Sequence, residues 1–169
     1  IYLGRYNWKG LQGEGDDEDF DGQMDEVRVW KVARSQQEVI ENIGKKLTGS
    51  EPGLFALWSF DDGTARDLTP NGHDGVLAGN GQIVEAQRPA PDPTLLVKET
   101  VLQLDGNTGY AEMPALALNG NTMTITAWVK GDGNQRNTAH ILGARGAGND
   151  VFGLHMDGSG SELRYCWLA

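Results

Sequence analysis

An acidic, glycine-rich loop, GEGDDEDFDG, leads into a strand-like segment and contains the pattern Asp-x-Asp-x-Asp-Gly. Carboxylates at every second position before a glycine can fold around a hard cation, because the glycine permits a sharp turn. The helix–loop–helix type of calcium site is excluded, because the twelfth position counted from Asp17 is Arg28 rather than a glutamate. An irregular calcium-binding loop and a solvated acidic loop are both compatible with the pattern. Its members are Asp17, Asp19, Asp21 and Gly22.

Side chains that could support catalysis are scattered along the chain. Retaining glycoside hydrolysis needs two carboxylates on one face, roughly 5 Å apart, whereas Glu26 has only Asp25 beside it, on the opposite face of the strand MDEVRVW. Glu26 shares its strand face with Arg28, so we interpret it as a structural carboxylate. None of the histidines accompanies a nucleophile motif, and no two have zinc-ligand spacing; they are His73, His140 and His155. The sequence therefore predicts a protein that is not an enzyme.

Exposed aromatic rings could stack on sugars, with amides and carboxylates binding the hydroxyl groups. Trp30, Trp58 and Trp128 lie in strand-like segments with apolar or β-branched neighbours, which favours core packing. Trp8, in the segment RYNWKG, is the tryptophan that we expect in a loop, with Tyr6 close to it. Trp8 and Tyr6 are therefore the predicted ligand-binding residues.

The composition limits the class of protein and its partners. The chain has 169 residues, 38% of them hydrophobic, and a formal net charge of -10, which suits a globular protein that binds cations or neutral ligands and disfavours nucleic acids and anionic membranes. The single cysteine, Cys166, permits no internal disulfide, and we expect it to be buried in the apolar run LRYCWLA. No apolar run approaches the roughly 20 residues of a membrane helix. No signal peptide opens the chain, and its strand-like start indicates that the native N-terminus lies upstream.

Short β-type runs separated by Gly, Asn and Asp clusters dominate the chain and predict an all-β, antiparallel sandwich or barrel. In TMTITAWVK the alternation puts four apolar residues on one face, with Thr124, Thr126 and Trp128 on the other. LFALWSF is apolar on both faces, which predicts a central strand. The inward-facing set of TMTITAWVK comprises Met123, Ile125, Ala127 and Val129.

One short helix is predicted over residues 35–46. Ser35 is a good N-cap, and Glu38 three residues later completes a capping box. Lys45 and Lys46 suit the negative C-terminal end of the helix dipole. An apolar stripe at helical spacing consists of Val39, Ile40 and Ile43.

Three segments resemble a known family. FDGQMDEVRVWKVARSQQEV, residues 20–39, resembles a closing signature in which a Phe-x-Gly-x-x-Asp-Glu-Val-Arg strand precedes Ala-Arg-Ser and a short helix. Residues 53–79 resemble a first strand with its Asp-rich, Asn-Gly turn, and residues 101–130 resemble the next three strands. Together they are similar to the laminin G-like and pentraxin-like jellyroll domains of the concanavalin A-like lectin and glucanase superfamily, found in tandem in large bacterial surface proteins. The resemblance implies an antiparallel two-sheet jellyroll.

The order of these segments implies the domain organisation. The closing signature precedes the first-strand segment here, and three prolines interrupt the stretch EAQRPAPDPT between that segment and the next. Residues 1–88 are therefore predicted to be the C-terminal part of one jellyroll, residues 89–93 a proline-rich linker, and residues 94–169 the N-terminal part of a second. A break near residue 50 is the alternative. We expect MDEVRVW and MTITAWVK to share one two-sheet core, within a chain or across a strand-swapped dimer, with a gap where the family's middle strands are missing.

The resemblance also implies a function and a metal site. It predicts a non-catalytic binding or adhesion module of an extracellular, cell-surface or periplasmic protein, with a carbohydrate or protein ligand. A structural spacer repeat and an accessory domain of an enzyme are the alternatives. The family signature explains Phe20 as a core anchor and Gly22 as the start of a strand without a metal. Calcium is instead predicted at the acidic turn formed by residues 61–74, where a network of Asx-turn hydrogen bonds is the alternative. The candidate ligands are Asp61, Asp62, Asp67, Asn71 and Asp74.

Overall fold

The computed structural model describes residues 1–5, 19–89, 96–118, 122–132, 135, 139–145, 150–156 and 163–167. These residues form one helix and eleven strands. The helix is α1 (Gln36–Asn42), and the strands are β1 (Tyr2–Leu3), β2 (Asp21–Trp30), β3 (Leu54–Trp58), β4 (Val76–Ala78), β5 (Gln82–Pro89), β6 (Leu96–Asp105), β7 (Tyr110–Glu112), β8 (Thr124–Gly131), β9 (His140–Arg145), β10 (Asp150–Met156) and β11 (Leu163–Trp167).

Two antiparallel sheets form a sandwich-like arrangement. The first sheet has the strand order β11-β10-β9-β1-β7-β4, and the second has the order β3-β2-β6-β5, with β8 paired to β2. One hydrophobic core contains Leu3 and Leu142 from the first sheet and Met24 and Leu104 from the second. The all-β, two-sheet prediction is confirmed. No helix of the described residues is long and apolar enough to cross a membrane.

The strand β2 organises the second sheet. It pairs with β6 and β3 along one edge and with β8 along the other, in a register that includes Met24 opposite Val129 and Val29 opposite Ile125. The expectation that MDEVRVW and MTITAWVK share one core is therefore confirmed, within a single chain. The four apolar residues of TMTITAWVK that were predicted to face inward all pack against that core.

The start of β2 also behaves as the sequence predicts. Phe20 is fully buried in the core. Gly22 lies in β2 with φ +148°, where a Cβ would collide with the backbone oxygen of Lys130. Glycine is required there because β8 approaches too closely for a side chain.

The predicted linker lies between two strands that pair with each other. The strands β5 and β6 pair from Gln82 opposite Gln103 to Pro89 opposite Leu96. Residues 90–95 are outside the described residues. The core draws residues from both sides of this segment, and the assignment of the two sides to different jellyrolls stays a prediction.

The strand β3 lies at a sheet edge, so the prediction that LFALWSF is central was wrong. Its residues Phe55–Trp58 are buried, as expected for a central strand, but among the described residues β3 pairs with β2 alone. Its other edge is bonded by the turn that follows it: Leu68 N donates to Leu57 O at 2.9 Å. Apolar residues on both faces therefore reflect cover by a turn rather than a second neighbouring strand.

The helix α1 has the predicted start but a different end. Ser35 is the N-cap, and the reciprocal bonds of its capping box with Glu38 are both present. The helix ends at Asn42, so Lys45 and Lys46 lie beyond it, and the last turn contains no basic residue. The apolar stripe does not enter the core: Val39 is half-buried, whereas Ile40 and Ile43 are 51% and 59% exposed.

Candidate functional site

Part of the sequence-predicted chemistry falls outside the described residues. Trp8 and Tyr6, the predicted ligand-binding pair, and Asp17 of the acidic loop belong to residues 6–18, which are not described. Asp19, the other aspartate of the Asp-x-Asp-x-Asp-Gly pattern that precedes Phe20, forms an ion pair. The side chain of Asp19 is fully buried and pairs with Arg5, whose Nε and Nη2 lie 2.9 and 2.6 Å from its two carboxylate oxygens.

The acidic turn between β3 and β4 is organised around the buried carboxylate of Asp67. Its Oδ1 accepts hydrogen bonds from Leu57 N at 3.1 Å and Thr69 N at 2.9 Å. Its Oδ2 accepts from His73 N at 2.9 Å and the Thr69 hydroxyl at 3.0 Å, and lies 3.0 Å from His73 Nδ1. The Asp67 carboxylate therefore accepts hydrogen bonds both from residues of the turn and from the outer edge of β3. An edge strand without a neighbouring strand on that side needs such cover.

The other predicted calcium ligands have separate partners. Asp61 pairs with Lys46 at 3.0 Å, and Asp62 bonds Thr64 within the turn. Asp74 accepts a hydrogen bond from the amide of Asp67, and Asn71 Nδ2 donates to Phe55 O. No group of three or more His, Cys, Asp or Glu residues that could hold a metal ion occurs in the described ranges. Calcium at this turn stays a prediction, and the hydrogen bonds are those of the alternative Asx-turn network.

The ionisation of Asp67 couples this turn to pH. Burial opposes ionisation, but backbone hydrogen bonds from His73, Thr69 and Leu57 outweigh it and hold the Asp67 pKa below its ordinary value. A lowered carboxyl pKa stabilises the fold above the unfolded-state pKa, about 3.9, and this stability is lost as pH falls through the folded-state pKa. We expect the difference in unfolding free energy between wild type and Asp67→Asn to be constant near neutral pH and to shrink below about pH 4. Urea titrations across this range measure it; a difference independent of pH would contradict the assignment.

A groove of about 250 Å³ lies between α1 and the strands β2 and β8. The sequence did not single it out as a site. Its walls combine aromatic, charged and amide side chains with the apolar stripe of α1. The lining residues that matter most are Glu26, Trp30, Arg34, Asn42, Ile43 and Trp128.

A buried ion pair lines this groove. Arg28 Nη2 and Nε lie 2.6 and 3.1 Å from Glu26 Oε2, and both side chains are over 90% buried. Arg28 also donates to the backbone oxygens of Asn42 and Lys45, at and beyond the end of α1. It therefore supplies the cation that we predicted from Lys45 and Lys46. The interpretation of Glu26 as a partner of Arg28 is confirmed.

A backbone irregularity positions Glu26 at the groove. The register between β2 and β8 shifts between Asp25 and Arg28, so β2 carries an extra residue there. Glu26 has φ +51°, in the left-handed region that non-glycine residues avoid, and its amide bonds Asp25 Oδ1 at 2.7 Å. Its Oε1 accepts no hydrogen bond from the described residues. Bulges and strained residues of this kind are concentrated at binding and active sites.

The tryptophans of the second sheet have different environments. Trp58 is fully buried in the core and Trp30 is 2% exposed, with the Arg34 guanidinium 4.0 Å from its ring centroid, so core packing is confirmed for both. Trp128 is only half-buried and lines the groove, so the interpretation of Trp128 as a core residue was wrong. The alternation in TMTITAWVK already placed it opposite the inward-facing set, and this was the signal that could have identified it.

In comparisons with known proteins, no protein family, curated protein or solved structure matched the chain.

Proposed function

We propose that this chain is a non-catalytic carbohydrate-binding part of a larger extracellular or cell-surface protein, and that the groove beside α1 is its site. The observation that carries the proposal is the half-buried Trp128 in a groove that also contains carboxylate, guanidinium and amide groups. An indole ring stacks on the apolar face of a pyranose, and polar groups around it bind the hydroxyls. The laminin G-like jellyroll identity, which agrees with the two-sheet arrangement, is part of the same proposal.

The rigidity of the groove supports this proposal. Arg28 holds the end of α1 against the sheet, and Arg34 is fixed between the Trp30 ring and Glu38, whose Oε1 lies 3.1 Å from its Nη1. Groups held in place before binding lose little conformational entropy when a ligand arrives. The groove is therefore suited to a rigid, amphipathic ligand such as a sugar ring.

The first test is Trp128→Ala. We expect glycan retention to weaken at least about tenfold, because a stacking contact and its buried apolar area are both lost. A glycan array followed by isothermal titration with the best-retained saccharide measures this. Val76→Ala, at an exposed valine of β4 in the other sheet, is the control and should leave binding unchanged.

Two outcomes would change the assignment. If Trp8→Ala abolishes retention and Trp128→Ala does not, the site is at the Trp8 and Tyr6 pair predicted from the sequence. If the array retains no saccharide at all, the protein-ligand, spacer-repeat and accessory-domain alternatives replace carbohydrate binding.

A further inference from the structure

The outer edge of β8 carries main-chain groups that face away from the rest of its sheet. Within the described part of the chain, β8 pairs with β2 alone. In an antiparallel pair the N–H and C=O groups of successive residues point alternately to the two sides of a strand. Asp132 N donates to Asp21 O at 3.0 Å, so the even-numbered residues of β8 face β2. The groups facing outward are those of Ile125, Ala127, Val129 and Gly131.

This edge lacks the features that usually protect an edge strand. The sequence of β8, TITAWVKG, contains no proline and one charged residue, Lys130. None of its outward main-chain groups has a hydrogen-bond partner within the described residues. The edge of β3, in contrast, is bonded by the Asp67 turn. Unprotected edges of this kind add a further strand.

We propose that the β8 edge binds the same edge of a second copy of this chain, antiparallel about a twofold axis at Ala127. In this register Ala127 lies opposite its own counterpart, and Ile125 lies opposite Val129 of the second copy. Residues with outward-facing main-chain groups then meet only residues of the same kind, and each such pair exchanges two hydrogen bonds. A twofold contact requires a surface that is complementary to itself, and this edge meets the requirement.

The side chains of β8 are also complementary in this register. On the core face Ile125 meets Val129, which is an apolar pair. On the groove face Thr126 meets Trp128, and Thr124 meets Lys130, so no two like charges lie opposite each other. This self-complementarity favours a second copy of the chain over an unrelated protein as the partner of the β8 edge.

The net charge of the chain predicts how the affinity of this contact depends on salt. Two chains that each carry a formal charge of -10 repel one another, and salt screens that repulsion. The dimer should therefore become tighter as ionic strength rises.

Because the twofold axis is perpendicular to the sheet, the two grooves beside α1 would lie on the same face of the joined sheet.

The test is a pair of opposite charges at Thr124. Thr124→Lys puts a lysine opposite Lys130 of the second copy at both ends of the contact, whereas Thr124→Glu puts a carboxylate there. Both variants lose the same bonds of the Thr124 hydroxyl, with Arg34 N and Val32 O, so effects on the fold are matched. We expect the dimer dissociation constant to rise about tenfold for Thr124→Lys and to fall for Thr124→Glu. Sedimentation equilibrium from about 1 μM to about 1 mM chain measures both.

Two further variants confine the contact to β8. Thr124→Lys combined with Lys130→Glu restores opposite charges and should restore the dimer. Ala127→Pro removes an outward N–H at the centre of the contact, where a proline is compatible with an edge strand, and should abolish association with little change in melting temperature. A wild-type chain that stays monomeric over the whole range at any salt concentration would overturn the proposal. So would a dimer whose affinity is equal in Thr124→Lys and Thr124→Glu.

Discussion

Asp67→Asn is expected to lower the unfolding free energy by about 3 kcal/mol, because a buried carboxylate that accepts several hydrogen bonds is replaced by an amide. The Asp67 side chain is fully buried, and both of its oxygens accept from backbone amides. An asparagine can accept at one terminal atom only, so at least one pair of buried donors loses its acceptor. Urea unfolding followed by tryptophan fluorescence measures the loss.

Asp62→Asn is the control for this prediction. Asp62 lies in the same turn and bonds Thr64 N and Oγ1, but it is exposed to solvent. Its replacement should change stability by less than about 1 kcal/mol. Equal losses for the two variants would show that the turn is not organised around Asp67.

Calcium separates the two interpretations of this turn. The hydrogen-bond network requires the loss in Asp67→Asn to be the same with calcium and with a chelator. A bound cation would instead stabilise the wild type, by about 2.7 kcal/mol at 100 times its dissociation constant, and this gain would be absent in the variant. A calcium-dependent loss would therefore identify Asp67 as a metal ligand.

Arg28→Met is expected to destabilise the fold by about 3–5 kcal/mol and to abolish binding in the groove. The variant leaves the Glu26 carboxylate buried without its partner, which is the costly way to break a buried ion pair. It also removes the bonds that hold the end of α1 at Asn42 and Lys45. Chemical unfolding and the glycan titration measure the two effects.

A second substitution separates the effect of losing the ion pair from the effect of losing the contact with α1. Arg28→Met combined with Glu26→Gln removes the unpaired charge and should recover part of the stability, but it should not recover binding, because α1 remains untethered. Arg34→Met should cost less than about 1 kcal/mol, since its pair with the half-exposed Glu38 is solvent-accessible. An Arg28 variant no less stable than the Arg34 variant would contradict the role given to Arg28.

The features that could be predicted from the sequence are those set by neighbouring residues. The capping box of Ser35 and Glu38 is local, and the alternation in β8 is set by the two-residue period of a strand. The shared core of β2 and β8 followed from the apolar faces of two segments that each need a partner. The resemblance to a jellyroll family, and the division into parts of two jellyrolls that it implies, stay predictions.

The features that could not be predicted depend on contacts between distant residues. The charge at the end of α1 comes from Arg28, on another element, so local patterns favoured Lys45 and Lys46 instead. The edge position of β3 depends on how Asp67 folds back, and its apolar sequence resembles that of a central strand. The bulge at Glu26 has no glycine or proline to mark it in the sequence, and Asp25, whose side chain bonds the Glu26 amide, fits an ordinary strand position equally well. The groove was missed because two of these features shape it, the contact of Arg28 with the end of α1 and the bulge at Glu26.

The most direct test of the proposed function is the indole N–H spectrum of the 15N-labelled protein during titration with a saccharide retained on the array. We expect the Trp128 resonance to shift and to saturate with the ligand, whereas the resonance of Trp58, whose indole donates to His73 O in the core, should stay in place. A retained saccharide that leaves Trp128 unperturbed would contradict the groove as the binding site.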